Sequence, residues 1–242
     1  MEELLYQACR QLHFGSNIVD NAKQIKKSNH IAFLLELFNL EIAHREQKRI
    51  NTNLRQAKFD VIKTFEDYTF EDIKFPKSIT PTEITDVSFI DRKENLVLYG
   101  NVGSGKTHLA VAVGIAACNK GKKVRFCRTA SLVNELVDAK RHGTLSKLTK
   151  KLEKCDLLIC DEWGYVPIDT NGAKLLFSVI ADCYERKSLI ITTNLEFTKW
   201  NEVFYDEKLT SAIIDRVIHH SHLLDFSKRD SRRLQNSLIK IK

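Results

Sequence analysis

The stretch Gly100-Asn101-Val102-Gly103-Ser104-Gly105-Lys106-Thr107 meets every required position of the phosphate-binding pattern G-x-x-x-x-G-K-[ST], which demands a buried strand before it and a helix after it. Residues 95–99 are an apolar run on the amino side, and residues 108–120, opening at His108, have a helical pattern on the carboxyl side. Glycines let the backbone wrap around phosphate oxygens with successive N–H groups pointing inward, at the positive end of the helix dipole. In that chemistry Lys106 reaches the β- and γ-phosphates and the Thr107 hydroxyl holds Mg²⁺. The expected ligands are a nucleoside triphosphate, ATP, and Mg²⁺.

Four further apolar runs follow, at 123–127, 156–160, 189–193 and 223–226, with helical stretches between them. The alternation predicts an α/β fold with a five-stranded parallel sheet covered on both faces and a ligand site at the carboxyl ends of its strands. The run Leu157-Leu158-Ile159-Cys160-Asp161-Glu162 ends in two acids about 50 residues after the loop, in a strand expected to end beside it. Two carboxylates there divide the work: Asp161 holds the metal's water shell and Glu162 polarises the attacking water. Asn194, at the end of Leu189-Ile190-Ile191-Thr192-Thr193-Asn194, offers a neutral donor and acceptor to the γ-phosphate or the water.

Before the strands, residues 2 to about 58 have a helical pattern, with Ile31, Leu34, Leu35, Phe38 and Ile42 spaced for one helix face and Glu41 placed to pair with Arg45. We expect a small all-helical amino-terminal domain over 1–60, an aromatic linker over 61–80 carrying Phe65, Tyr68, Phe70 and Phe75, and the nucleotide-binding domain over 81–242. A helix capped by Thr82 is expected over 82–93. The net charge of +7 suits a nucleic-acid partner. Six cysteines without a C-x-x-C pair suit free thiols in a reducing cytoplasm, and the sequence has neither a signal peptide nor an apolar run of membrane-spanning length.

From about residue 40 to 235 the sequence resembles the IstB family, ATP-binding helpers of bacterial insertion sequences close to the DnaC-type helicase loaders of the AAA+ superfamily. The resemblance rests on Glu41-x-x-x-Arg45, Ala57-Lys58-Phe59, Thr64 to Tyr68, Gly105 to Ala110, Asp161 to Pro167, Leu176-Phe177, Ile191 to Asn194, Trp200, and Ala212 to His220. It implies an AAA+ P-loop α/β/α core and a DNA-binding ATPase that self-assembles head to tail on duplex DNA and recruits or stimulates a cognate transposase. Within it, Arg216 matches the arginine finger acting on a neighbour's ATP, Arg233 matches the sensor-2 arginine, and the aromatic linker helps frame the adenine. A truncated lid, one helix over 228–239, fits the same family. Asn101-Val102 replaces the usual Pro-Pro, Cys183 stands where arginine is usual, and Arg232 replaces a tyrosine.

In such an assembly DNA phosphates meet a basic inner face, for which Lys140, Arg141, Lys147, Lys150 and Lys151 are the candidates. A DnaC-type helicase loader, a protein adaptor, carries almost the same ATPase motifs and stays open as the alternative. A small P-loop kinase needs a substrate lid that the sequence does not reveal.

Overall fold

Five strands pair in parallel in the order β2-β3-β4-β1-β5, where β1 is Asn95–Tyr99, β2 Val124–Arg128, β3 Leu157–Trp163, β4 Ser188–Thr193 and β5 Ser221–Asp225. The structure is a computed structural model, which describes residues 2–27, 29–204 and 206–231. The chain divides into two units, residues 1–52 and 53–242.

The pleat explains the near-continuous apolar strands of the second unit. Leu96, Leu98, Leu157, Ile159 and Ile190 enter the core on one face, while Val97, Leu158, Cys160, Leu189 and Ile191 enter that on the other. The helix α5 (Lys106–Asn119) is buried almost all round and covers the first face. The second is covered by α6 (Thr129–Arg141), α7 (Leu145–Glu153), α8 (Thr170–Cys183) and α10 (Glu207–Ile218), with the short α9 (Asn201–Phe204). The side chains of Asp169 and Asp206 cap α8 and α10 by accepting from Gly172 N and Leu209 N.

Trp163 and Trp200 lie fully buried on this second face, their rings 5.2 Å apart. Trp200→Ala should cost about 3–5 kcal/mol of stability through the cavity it leaves. Urea unfolding checks this, and a loss below about 1 kcal/mol would contradict the packing.

The expected helix over 82–93 is instead α4 (Pro81–Thr85) followed by a 3₁₀ turn, Ser88–Ile90. Its cap is Thr80 and not Thr82: Thr80 Oγ1 accepts from Glu83 N, and Glu83 Oε2 accepts from Thr80 N at 3.0 Å. Pro81 fits the first helical position, where no N–H is needed. Val87, at φ 54°, takes the left-handed conformation and breaks the run. The linker aromatics Phe65, Phe70 and Phe75 pack on one another and on the core rather than lining open space.

In the first unit, α1 (Glu2–Gln11), α2 (Ile18–Gln24) and the part of α3 (His30–Ala57) up to residue 52 enclose a small core of Ile18, Val19 and Leu37. The short α1 and α2 cover mainly the Leu37 and Glu41 side of α3, so most of the expected apolar face is left open: Ile31 is 79% and Leu35 62% exposed, while Phe38 stacks on Phe14. Glu41 is buried, accepting from Gly15 N and Arg45 Nε, each at 2.7 Å. Burial works to raise its carboxyl pKa, but Arg45 and the Gly15 N–H outweigh it and hold the group below the usual carboxylate value. The Glu41–Arg45 pair therefore ties down the turn after α1, since Arg45 also donates to His13 O.

All six cysteines are free. Burial pushes the Cys118 and Cys183 thiols up to about 12, so they act as small neutral core residues. Residues 228–231 do not belong to a helix, and the rest of the helix expected over 228–239 lies outside the described residues.

Candidate nucleotide site

The phosphate loop leaves β1 and runs into α5 through backbone that favours glycine. Gly105, at φ 95°, precedes α5, and no side chain caps the helix there, so its first N–H groups stay available to an anion. Gly103, at φ 81°, takes a left-handed backbone that strains any residue with a side chain, and a Cβ there would also displace Ser231 Oγ. Lys106 Nζ donates to Gly100 O at 2.8 Å and to Asn101 O at 2.7 Å, folding back across the loop. Ser104 Oγ donates to Asn101 O, and Asn101 Nδ2 donates to Ser227 O at 2.9 Å. That last bond gives Asn101 a tie to the segment after β5 that its proline counterpart could not make. Val102 is about half exposed.

Asp161 is 3% exposed and is the hub of the site. Thr107 Oγ1 donates to its Oδ1 at 2.9 Å, Thr192 Oγ1 donates to the same oxygen, and Thr129 Oγ1 donates to its carbonyl at 2.9 Å. β3 ends beside the phosphate loop as expected, since Thr107 reaches Asp161, although β4 lies between β1 and β3 in the sheet. Thr192, on that intervening strand, also accepts from Glu162 N at 3.0 Å. A Thr–Asp pair beside a capless helix start is the donor set that suits a hydrated divalent cation next to phosphate.

Glu162 adopts φ 57°, a left-handed conformation uncommon for a non-glycine residue and costly enough to mark functional sites. Its carboxylate is about half exposed and lies 3.9 Å from Arg128 Nε, which donates to Asp60 at 3.1 Å. Asn194 Oδ1 is buried and has no hydrogen-bond partner among the described residues. An orphaned acceptor at the tip of the strand between loop and acids fits a water or ligand donor.

His108 Nε2 is 2.9 Å from Thr64 O, and its ring lies 5.0 Å from that of Tyr68. Arg229 is buried beside them, donating to Tyr68 Oη at 2.9 Å and to Thr69 O at 2.8 Å. A Cβ on Gly105 would stand 3.6 Å from Arg229 Nη1. Arg229 is thus a cation that the segment after β5 brings to the loop, whereas Arg233 and Arg232 lie outside the described residues.

The remaining expected residues stand apart from this set. Arg216, in the last turn of α10, donates to Ala212 O at 3.0 Å and lies 5.0 Å over the Phe177 ring. Lys140, Arg141, Lys147, Lys150 and Lys151 are exposed on the carboxyl end of α6 and on α7. Lys140 donates to Asn171 and Arg141 lies 3.7 Å from Asp138. Sequence reasoning missed Thr192, Arg128, Asp60 and Arg229. Thr192 alone had a signal, its place two residues before Asn194 in a strand with polar tips.

Sheet order, phosphate loop and the Thr107–Asp161 pair define an AAA+ P-loop fold with its nucleotide site at the strand tips. The chain belongs to the IstB-like ATP-binding protein family, whose profile matches residues 13–239. It is 41% identical over 200 residues to an ATP-binding protein of insertion sequence IS232 from Bacillus thuringiensis subsp. berliner, covering 80% of this chain and 79% of that one. To the ATP-binding protein of insertion sequence IS5376 from Geobacillus stearothermophilus it is 34% identical, covering 99% and 97%. Among solved structures it is similar to the DnaC helicase loader, at a TM-score of 0.52 and 24% identity over 67% of this chain and 95% of that one. AMPPCP-bound DnaA from Aquifex aeolicus matches at a TM-score of 0.52 and 20% identity, over 66% and 52%. Among the described residues no helix is long and apolar enough to cross a membrane.

Proposed function

We propose that this protein is the ATP-hydrolysing, DNA-binding helper of an insertion sequence, assembling head to tail on duplex DNA and recruiting or stimulating a transposase. The observation that carries the reading is the continuous set Lys106, Thr107, Asp161, Thr192 and Glu162, which has the parts needed for metal-assisted hydrolysis. The insertion-sequence relatives at 34–41% identity supply the biological setting.

In this reading Lys106 gives up its two carbonyl partners to the β- and γ-phosphates, and the N–H groups of Gly103 to His108 cradle them. Thr107 and Asp161 would hold Mg²⁺, which would supply neutralisation of the charge that develops on the phosphates. Glu162 accepts the proton of the attacking water, which Asn194 Oδ1 orients. Arg128 competes with that water for the Glu162 carboxylate, so a shift of Arg128 fully onto Asp60 frees the base. Arg216 completes the site of the next protomer and Arg233 acts within its own. Such a head-to-tail contact is heterologous and builds a ring or an open spiral.

Lys140, Arg141, Lys147, Lys150 and Lys151 meet DNA phosphates without reading bases. Binding should therefore be sequence-tolerant, and each phosphate neutralised should add about 0.9 to the negative log–log salt slope. Sedimentation with duplex DNA, with and without ATP, tests the assembly, and a salt titration of the same mixture tests the basic face. Absence of ATP-dependent cosedimentation, or a flat salt response, removes the reading. ATP-dependent binding to a replicative helicase in place of DNA would favour the loader alternative.

A further inference from the structure

At the amino ends of β2 and β3, the opposite end of the sheet from the phosphate loop, a cavity of about 130 Å³ opens between the end of α3, β2 and α7. Its apolar walls are Val124, Leu148 and Leu152. Four cations line it, Lys123, Arg125, Lys151 and Lys154, against one carboxylate, Glu135.

Arg125 is the unusual member, being only 7% exposed. Its Nη2 donates to Glu135 Oε2 at 2.9 Å, but Nη1 is buried without a hydrogen-bond partner among the described residues. A buried guanidinium left half satisfied is costly, and a planar fork of donors is matched best by a carboxylate. The three lysines are exposed and add positive charge that Glu135 alone does not balance. A single water could satisfy Nη1, but it would account for neither the lysines nor the volume, which is roughly that of four water-sized groups.

We propose that this cavity binds a short aliphatic dicarboxylate, one carboxylate pairing with Arg125 and the other with the exposed lysines. The apolar walls take the methylene chain. The site shares no residue with the nucleotide set.

Cys155 also lines the cavity and serves as its reporter, while the partly exposed Cys9 is an internal control. The experiment follows alkylation of both thiols by iodoacetamide, peptide by peptide in a mass spectrometer, on the full chain without DNA. It is run at alkaline pH because burial raises the Cys155 thiol. Glutarate at several times its dissociation constant should slow Cys155 by about fivefold or more and leave Cys9 unchanged. Neutral glutaramide and inorganic phosphate should not protect. Arg125→Met should abolish protection. The double variant Lys123→Ala/Lys154→Ala, which leaves every buried group in place, should weaken the apparent affinity by about tenfold and keeps the test valid if Arg125→Met does not fold. The proposal is overturned by no slowing with glutarate, by equal protection from glutaramide or phosphate, or by an unchanged affinity in the double lysine variant.

Discussion

Arg216→Ala should lower DNA-stimulated ATP turnover by about 10³-fold or more while leaving the nucleotide affinity of the isolated protomer nearly unchanged. The asymmetry follows from where the side chain lies. In its own chain Arg216 touches Ala212 O and the Phe177 ring, and neither is part of the phosphate loop or the Asp161 network. Truncating it therefore removes no hydrogen bond that shapes the chain's own nucleotide site. What is lost, in the proposed assembly, is a guanidinium placed on the charge that spreads over a neighbour's γ-phosphate, an interaction stronger in the transition state than in the ground state. Turnover on saturating duplex DNA, beside equilibrium binding of a fluorescent ATP analogue, separates the two effects. Unchanged turnover sinks the assignment. Equal loss of binding and turnover would instead place Arg216 in its own protomer's site.

The second large effect should come from Glu162→Gln, which keeps the shape and removes the base. Hydrolysis should fall by about 10²–10⁴-fold, with ATP and DNA binding retained, so the assembly on DNA should outlive that of the unaltered protein. The isosteric change matters here because Glu162 has a left-handed backbone and its N–H holds Thr192 Oγ1, both of which glutamine preserves. Dissociation from immobilised DNA after ATP is withdrawn measures the lifetime. A variant that hydrolyses at the original rate would show that another group activates the water. Mixing the two variants adds a further check: a protomer with intact Glu162 but no Arg216 and one with the reverse defect can form a working site between them. Partial recovery of turnover on mixing would therefore be expected from a shared site and from no other arrangement.

Several parts of this site were readable from the chain because their requirements are local. A glycine at positive φ, a lysine six residues after Gly100 and a hydroxyl at Thr107 are set by the geometry of one loop and one helix start, whatever surrounds them. The apolar runs likewise announce strands, because a strand buried on both faces has no polar alternation to hide. Their order in the sheet is another matter. Nothing in the runs themselves says that β4 inserts between β1 and β3, since each is apolar enough to pair with any other. That insertion makes Thr192 the link between Asp161 and Glu162.

Periodicity also misjudged α3, where most of a well-spaced apolar face is left open and the acidic Glu41 lies buried instead. Hydrophobic spacing tells which residues could share a face, but the lengths of α1 and α2 decide how much of that face is covered. The same limit applies to arginines. Arg216 was marked by its motif, while Arg125, Arg128 and Arg229 carry no local signature. Arg128 meets Asp60 and Glu162, and Arg229 meets Tyr68 and Thr69, only after β2 and β5 have been set into the sheet.

By itself the sequence determined the phosphate chemistry, the alternation of strand and helix, and the residues at the strand tips, since these depend on neighbours within a few positions. The tertiary structure alone decided which tips meet, which charge is buried with a partner and which, like one nitrogen of Arg125, is buried without. Those outcomes depend on contacts between residues far apart in the chain, where desolvation makes each polar group costly until a partner arrives from another element.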